Sequence, residues 1–155
     1  MTAALFRNAR QAVRGHFLDS LRDSVDPTRV AWENDVFDPP NANPTDPNDN
    51  PYWIKESCQI VYERLLALEL RELIGRTVFS VFYPVGKGTA RAENLLQAIA
   101  NSFESVASVT NGGVVVGIDK VERESGFRSD DAWWMASVSI YFRTYSVATP
   151  PNSKI

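Results

Sequence analysis

Two hydrophobic patterns follow one another between residues 76 and 103, and they predict a strand and then a helix. From Thr77 to Tyr83 nearly every position is β-branched or aromatic, as in a strand with both faces covered. From Thr89 onward the apolar residues recur at three- and four-residue steps, at Ala92, Leu95, Leu96, Ile99, Phe103 and Val106. The predicted helix therefore has one apolar stripe, which needs a sheet to pack against.

The same periodicities predict the other elements of the chain. These are a helix over residues 3–22, a short strand over 30–32, strands over 52–62, 114–121 and 133–145, and a polar turn over 122–131. Residues 63–74 are rich in leucine and glutamate but lie between two strands, so both a hairpin tip and a short helix are open. In the last strand Trp134 and Phe142 fall on the same face, and Ser137 and Arg143 on the other.

This order of elements predicts an α+β domain. We expect an antiparallel or mixed sheet of about four to five strands, with two helices packed on one face. A chain of 155 residues is typical of a single domain. The predicted domain spans residues 1–148, and residues 149–155 form a patternless C-terminal tail.

Residues 35–51 interrupt the regular pattern with five of the nine prolines in the chain, set among asparagines and aspartates. Such residues favour turns over ladder pairing. The segment is also longer than the usual connection of roughly 4–6 residues. We predict an extended surface arm.

Charge and composition narrow the class of protein. The net charge is -3, with 16 basic residues dispersed among 19 acidic ones, which disfavours a nucleic-acid reader. The arginines of the first predicted helix are expected on its solvent face. Cys58 is the only cysteine, so no internal disulfide is possible, and its strand-like surroundings predict a half-buried structural residue. The chain has no apolar run of membrane-spanning length and no signal-peptide core near its start, so we expect neither a membrane protein nor one secreted by that route.

No catalytic, cofactor-binding or metal-binding set is predicted. The Gly86 to Thr89 sequence lacks the earlier glycine of a phosphate-binding loop and is interpreted as a turn with Thr89 capping the helix. The alternation of Asp46, Asn48 and Asn50 lacks the glycine and glutamate of a calcium loop. The single histidine, His16, is predicted to lie at the surface or at the boundary of the core.

Adjacent tryptophans at 133 and 134 must point to opposite faces of the last strand, so only one of them can enter the core. Two positions are open for the other side chain. It lies under the proline-rich arm, or it belongs to a subunit interface, where tryptophan is enriched.

Several motifs, in this order, resemble the tail terminator (tail completion) proteins of long-tailed bacteriophages. They are V-A-W-E-N at 30–34, F-D-P-P at 37–40, Tyr52-Trp53, F-Y-P-V-G-K-G-T at 82–89 and Trp133-Trp134. The resemblance implies a structural virion protein without enzymatic activity or cofactors. It implies a homohexameric ring that caps the head-proximal end of the tail tube, ends tube polymerisation and provides the head-docking surface.

The partners implied by the resemblance are copies of the chain, the tail tube protein, the head-tail connector or neck protein and the tape measure protein. DNA would pass through the lumen only in transit, and assembly would take place in the bacterial cytoplasm. The predicted interface residues are Asp35, Phe37, Pro39, Pro40, Glu63, Arg64, Glu69, Arg71, Glu72 and Trp133. Two alternatives stay open: a neck protein that joins connector to tail, and a monomeric α+β enzyme or ligand-binding domain.

Overall fold

The computed structural model describes residues 2–46 and 51–147, with side chains from residue 4 to residue 146. Its elements are α1 (Thr2–Ser20), a 3-10 helix (Pro27–Arg29), β1 (Val30–Ala31), β2 (Trp53–Ala67), β3 (Leu70–Pro84), α2 (Ala90–Glu104), β4 (Ser108–Asn111), β5 (Val114–Arg128) and β6 (Trp133–Val147). The predicted tail, residues 149–155, and residues 47–50 of the arm lie outside the described residues.

The strands form one mixed sheet in the order β1-β2-β3-β6-β5-β4. The short β1 runs parallel to β2, and every other pairing is antiparallel. The α+β class is confirmed, but the predicted number of strands is too low, because the described chain has six. The missed strand is β4, whose three polar residues gave no apolar alternation.

Both helices contribute to one hydrophobic core on one face of the sheet. Phe79 of β3 stacks on Phe17 of α1 with a centroid distance of 4.3 Å and lies 6.1 Å from Phe103 of α2. The alternate residues of β6 from Ala136 to Phe142 belong to the same core, as the period of two predicted. The opposite face, called the outer face below, carries neither helix.

The residues left open between hairpin and helix form a hairpin. β2 continues to Ala67 and β3 begins at Leu70, so the two long strands are joined by a two-residue turn. The predicted polar turn over 122–131 is wrong, because β5 continues to Arg128 and only residues 129–132 make the turn. The charged residues of this strand are solvent-exposed, and alternation of charge in place of hydrophobicity concealed the strand.

The turn that precedes α2 forms as predicted. Gly86 and Gly88 have φ angles of 86° and 78°, which only glycine adopts without strain. Thr89 occupies the N-cap position, but its hydroxyl donates to the Glu93 carboxylate 3.1 Å away and makes no capping bond to the backbone. Val106 lies beyond the end of the helix.

Candidate assembly surfaces

The first surface is the arm, which lies against the outer face of the sheet near the start of β2. Phe37 stacks on Trp53 with a centroid distance of 5.4 Å, and Trp53 stacks in turn on Phe82 at 3.8 Å. Trp133 meets Trp53 edge-on at 6.2 Å, and Ala42 of the arm is buried among them. We call these five residues the arm cluster. Stacked and edge-on aromatic pairs each contribute about 0.5–1.5 kcal/mol beyond area burial, so the cluster holds the arm on the sheet.

The two tryptophans divide between the faces of the sheet. Trp134 packs partly buried against the helix-side core, and Trp133 lies in the arm cluster with 7% of its surface exposed. Of the two positions left open by the sequence, the structure places Trp133 beside the arm. Its contribution to a subunit contact would therefore act through the arm that packs beside it.

An ion pair connects α1 to β2 next to the residues that precede the arm. The Arg14 guanidinium donates two hydrogen bonds of 2.5 Å to the carboxylate of Glu56, which is 1% exposed. The hydrogen bond with Glu56 is the main reason that the pKa of Arg14 is raised, and burial opposes it. Glu56 also accepts a bond from the backbone N–H of Glu33, whose own carboxylate accepts from the Cys58 N–H at 3.2 Å. These bonds fix the point at which the chain leaves β1.

An open groove lies between the base of the arm and the sheet. It has a volume of about 410 Å³, and its lining includes Asp35, Phe37, Pro39, Trp53 and Lys55. Asp35 and Pro39 are exposed, and Phe37 and Pro40 are half-buried. Val36 is fully exposed.

The second surface is the far end of the β2–β3 hairpin, where a buried carboxylate organises the charges. Glu72 is 2% exposed and accepts hydrogen bonds from Arg64 at 3.0 Å and from Arg143 at 3.1 Å. Arg143 also donates to Asp119 at 3.3 Å, so the network crosses from β2 to β5. Hydrogen bonding with Tyr145 and the charge of Asp119 raise the pKa of Arg143. The network ties the hairpin to the rest of the sheet.

Apolar side chains project into solvent from the same hairpin. Leu68 at the turn is 90% exposed. The other large apolar residues of the hairpin with exposed side chains are Ile60, Val61, Tyr62, Leu65 and Leu66. Among the charged residues predicted here, Glu63 and Arg71 form an ion pair at 3.5 Å, and Glu69 is exposed at the turn. Clusters of exposed apolar residues of this kind mark interaction sites more often than isolated ones do.

Cys58 and His16, which were considered as a nucleophile and a metal ligand, both lie in structural environments. Cys58 is buried, and burial raises the pKa of its thiol to about 11, so it is protonated and weakly nucleophilic at neutral pH. A ring nitrogen of His16 lies 2.6 Å from the Ser102 carbonyl, at the boundary position predicted for it. Within residues 2–46 and 51–147, no group of three or more metal-ligating side chains is arranged to hold an ion. Among the described residues, neither helix combines the length and apolar composition that a bilayer span requires.

Comparison with known proteins identifies the family of the chain. A family model described as phage tail terminator protein matches residues 8–142. The chain belongs to this family. Phage tail terminators are structural proteins, so the chain has a structural role in the phage tail and is a virion component. The resemblance drawn from the ordered motifs is thereby confirmed.

The structural comparison concerns the fold alone. A solved structure superposes with a TM-score of 0.58 at 22% identity, and the match covers 92% of this chain and 98% of that one. No curated protein sequence matches the chain. The two chains therefore share a fold at low sequence identity.

Two groups of interacting residues in the terminator were not predicted from the sequence. The arginines of α1 were expected on the solvent face, whereas Arg14 pairs with buried Glu56. A signal was present, because Glu56 occupies a core-facing position of β2 between Ile54 and Cys58. The Glu72 network was equally hidden, since its partners lie 8 and 71 residues away along the chain.

Proposed function

We propose that this terminator assembles into a closed homohexameric ring that caps the head-proximal end of the phage tail tube. The ring stops tube polymerisation at the completed length and presents the surface to which the head docks. Head-to-tail contacts between identical copies give such rings when their rotation closes. Membership of the terminator family is the observation that carries the proposal.

Two features of the protomer support self-assembly over a solitary domain. The β2–β3 hairpin presents exposed leucines, and the arm presents a fully exposed valine. A 155-residue protomer has a sufficient core without these side chains, so folding does not require that they be buried. Apolar surface of this kind is typical of an interface that forms after folding.

The partners proposed for the ring follow from this position. One face contacts the tail tube protein, with the tape measure protein inside the tube, and the opposite face contacts the connector or neck protein. DNA passes through the lumen during ejection without a specific site. The net charge of -3, with the basic residues dispersed among acidic ones, agrees with passage and not with tight phosphate binding.

The mass of the purified protein and its effect on tube growth test the proposal. Six copies of a 17.3 kDa chain should give a particle of about 104 kDa in light scattering and a ring in negative-stain images. Added to polymerising tail tube protein, the ring should stop elongation at one end. A chain that stays at the mass of one copy at all concentrations and leaves tube length unchanged would contradict the proposal.

Deleting residues 41–50 of the arm is expected to lower the fraction of hexamer. The deletion removes Ala42 from the arm cluster and shortens the link between Phe37 and Trp53, whose rings stack in the intact protein. The arm would then no longer present one conformation to a neighbour, and the lost order must be regained on binding. Light scattering across a dilution series measures the effect.

A second arm variant separates contact from folding. Val36→Asp changes a fully exposed side chain, so thermal stability of the protomer should be unchanged while the hexamer dissociates at lower dilution. If both variants remain hexameric and still cap tubes, the arm plays no part in assembly.

A further inference from the structure

The sheet ends in two long edges that the described part of the chain leaves unpaired. β1 pairs with β2 only at residues 54 and 55, and the Glu33 side chain bonds the N–H of Cys58. Beyond Cys58 no described strand pairs with the free edge of β2. At the other end β4 pairs with residues 114–117 of β5, and Ile118 bonds the Ala107 carbonyl. Beyond Ile118 no described strand pairs with the free edge of β5.

Unpaired strand edges are sites for pairing with another chain, and monomeric proteins usually cover or shorten them. Both edges of this sheet contain a regular stretch between two bulges. On β2 the stretch is residues 62–65, bounded by register shifts on either side. On β5 it is residues 120–124, bounded in the same way. The two regular stretches differ in length by one residue.

The directions of the strands suit these edges to each other. The four long strands alternate in direction across the sheet, because β2 pairs antiparallel with β3, β3 with β6, and β6 with β5. β2 and β5 therefore point in opposite directions. When copies are related by rotation about an axis along the strands, β5 of one copy meets β2 of the next in the antiparallel arrangement.

Side-chain positions on the two edges then define one register. Glu63 lies on the helix side, because it pairs with Leu73, which alternates with core residue Phe79. Arg123 lies on the same side, because it pairs with core residue Val138 and donates to Gln97 of α2. Facing residues in a sheet share a face, so these two can lie opposite each other.

The same register matches the neighbouring positions in charge and polarity. Arg64 pairs with Glu72 on the outer face, and Glu122 pairs with Ser139, whose hydroxyl bonds outer-face Arg76. Leu65 is an exposed apolar residue on the helix side, and half-buried Val121 lies on that side too. The facing pairs are Glu63 with Arg123, Arg64 with Glu122, and Leu65 with Val121.

We infer that adjacent protomers join by antiparallel pairing of residues 62–65 of β2 in one copy with residues 121–124 of β5 in the next. The inference rests on the proposed ring and specifies its contact. Backbone hydrogen bonds continue the sheet from copy to copy, and opposite charges on both faces select the register. Leu65, one of the exposed leucines of the hairpin, is then covered by Val121 of the neighbouring copy.

Paired cysteines test the register. Facing residues of antiparallel strands have Cα atoms about 4.5–5.5 Å apart, within the range of a disulfide. Oxidation of the full-length Leu65→Cys/Val121→Cys variant should give covalent multimers up to the hexamer on non-reducing gels. The matched control is Leu65→Cys/Val115→Cys, because Val115 is exposed on the same strand but lies beyond the pairing stretch. The native Cys58 is buried and should not cross-link.

Charge reversal gives a second readout. Arg123→Glu should place two acidic groups opposite each other and lower the hexamer fraction about tenfold at a fixed concentration. Adding Glu63→Arg in the same chain should restore it. Arg123 is exposed and Glu63 is partly exposed, so circular dichroism of each variant should match that of the unsubstituted chain.

The outcomes separate the two proposals. A hexamer in light scattering whose Leu65→Cys/Val121→Cys variant yields no cross-link, or the same yield as the control pair, overturns edge pairing and leaves the ring intact. A protein that stays at the mass of one copy overturns the ring and the edge pairing together. Failure of Glu63→Arg to restore the Arg123→Glu hexamer contradicts the proposed register.

Discussion

Replacing Glu56 with alanine is expected to lower the free energy of unfolding by about 3 kcal/mol. The substitution removes both 2.5 Å hydrogen bonds of Arg14 and leaves a largely buried guanidinium without its carboxylate. Removing one partner of a buried pair costs about 3–5 kcal/mol, and we take the lower value because Arg14 retains some contact with solvent. Chemical denaturation followed by circular dichroism measures the change.

Glu93→Ala serves as the control for this prediction. Glu93 is an exposed carboxylate in the first turn of α2, where interaction with the helix dipole is worth about 0.3–1 kcal/mol. Its removal should therefore cost much less than removal of Glu56. Equal losses for the two variants would mean that the Arg14–Glu56 pair contributes no more than a surface charge.

Gly75→Ala is expected to destabilise the protein by about 1–3 kcal/mol. A Cβ atom at residue 75 would lie 2.2 Å from the nearest ring carbon of Phe142, which is fully buried. The ring can move only by displacing other core residues, and overpacking of this kind typically costs about 1–3 kcal/mol, occasionally more. The thermal midpoint of the protomer should fall accordingly.

The opposite sign is expected for Gly15→Ala, which provides a matched substitution. Gly15 lies within α1, and a Cβ there meets nothing within 4 Å. Alanine in a helix interior is favoured over glycine by about 0.5–1 kcal/mol, so this variant should be more stable. A Gly75→Ala variant that gained stability, as Gly15→Ala should, would contradict close packing of Phe142 on Gly75.

Local patterns predicted the parts of the fold whose side chains alternate by burial. The helix after Thr89 and the core face of β6 followed from apolar spacing, because each buries one regular stripe against the sheet. The turn at the two glycines before α2 was predictable, because the spacing of apolar residues changes there from that of a strand to that of a helix. These elements depend on contacts whose sequence signature is continuous.

Patterns failed where charge or distance controls the structure. β5 contains a run of exposed charged residues up to Arg128, so no hydrophobic period marks its second half. β2 and β3 extend past the helices as a hairpin because they pair with each other and with β6, which propensity alone does not reveal. Leucine and glutamate favour helix in isolation, and sheet pairing overrode that preference.

The candidate surfaces were partly predictable. Proline and asparagine content placed the arm at residues 35–51, and tryptophan geometry required a cover for one of two adjacent rings. That the cover is the arm itself depends on Phe37 and Ala42 reaching the outer face, a tertiary contact without local signal. The role of the ten predicted interface residues in subunit contacts stays a prediction.

Residues 59–68 of the β2–β3 hairpin form a single layer, since none of them is buried and the core formed with the two helices includes none of them. Sheet without a second layer opens locally at low free energy, so its amide protons should exchange with solvent faster than those of β6. A neighbouring copy that binds this region would slow the exchange by mass action. This part of the molecule would then be rigid only in the oligomer, and it would stay flexible in free protomers.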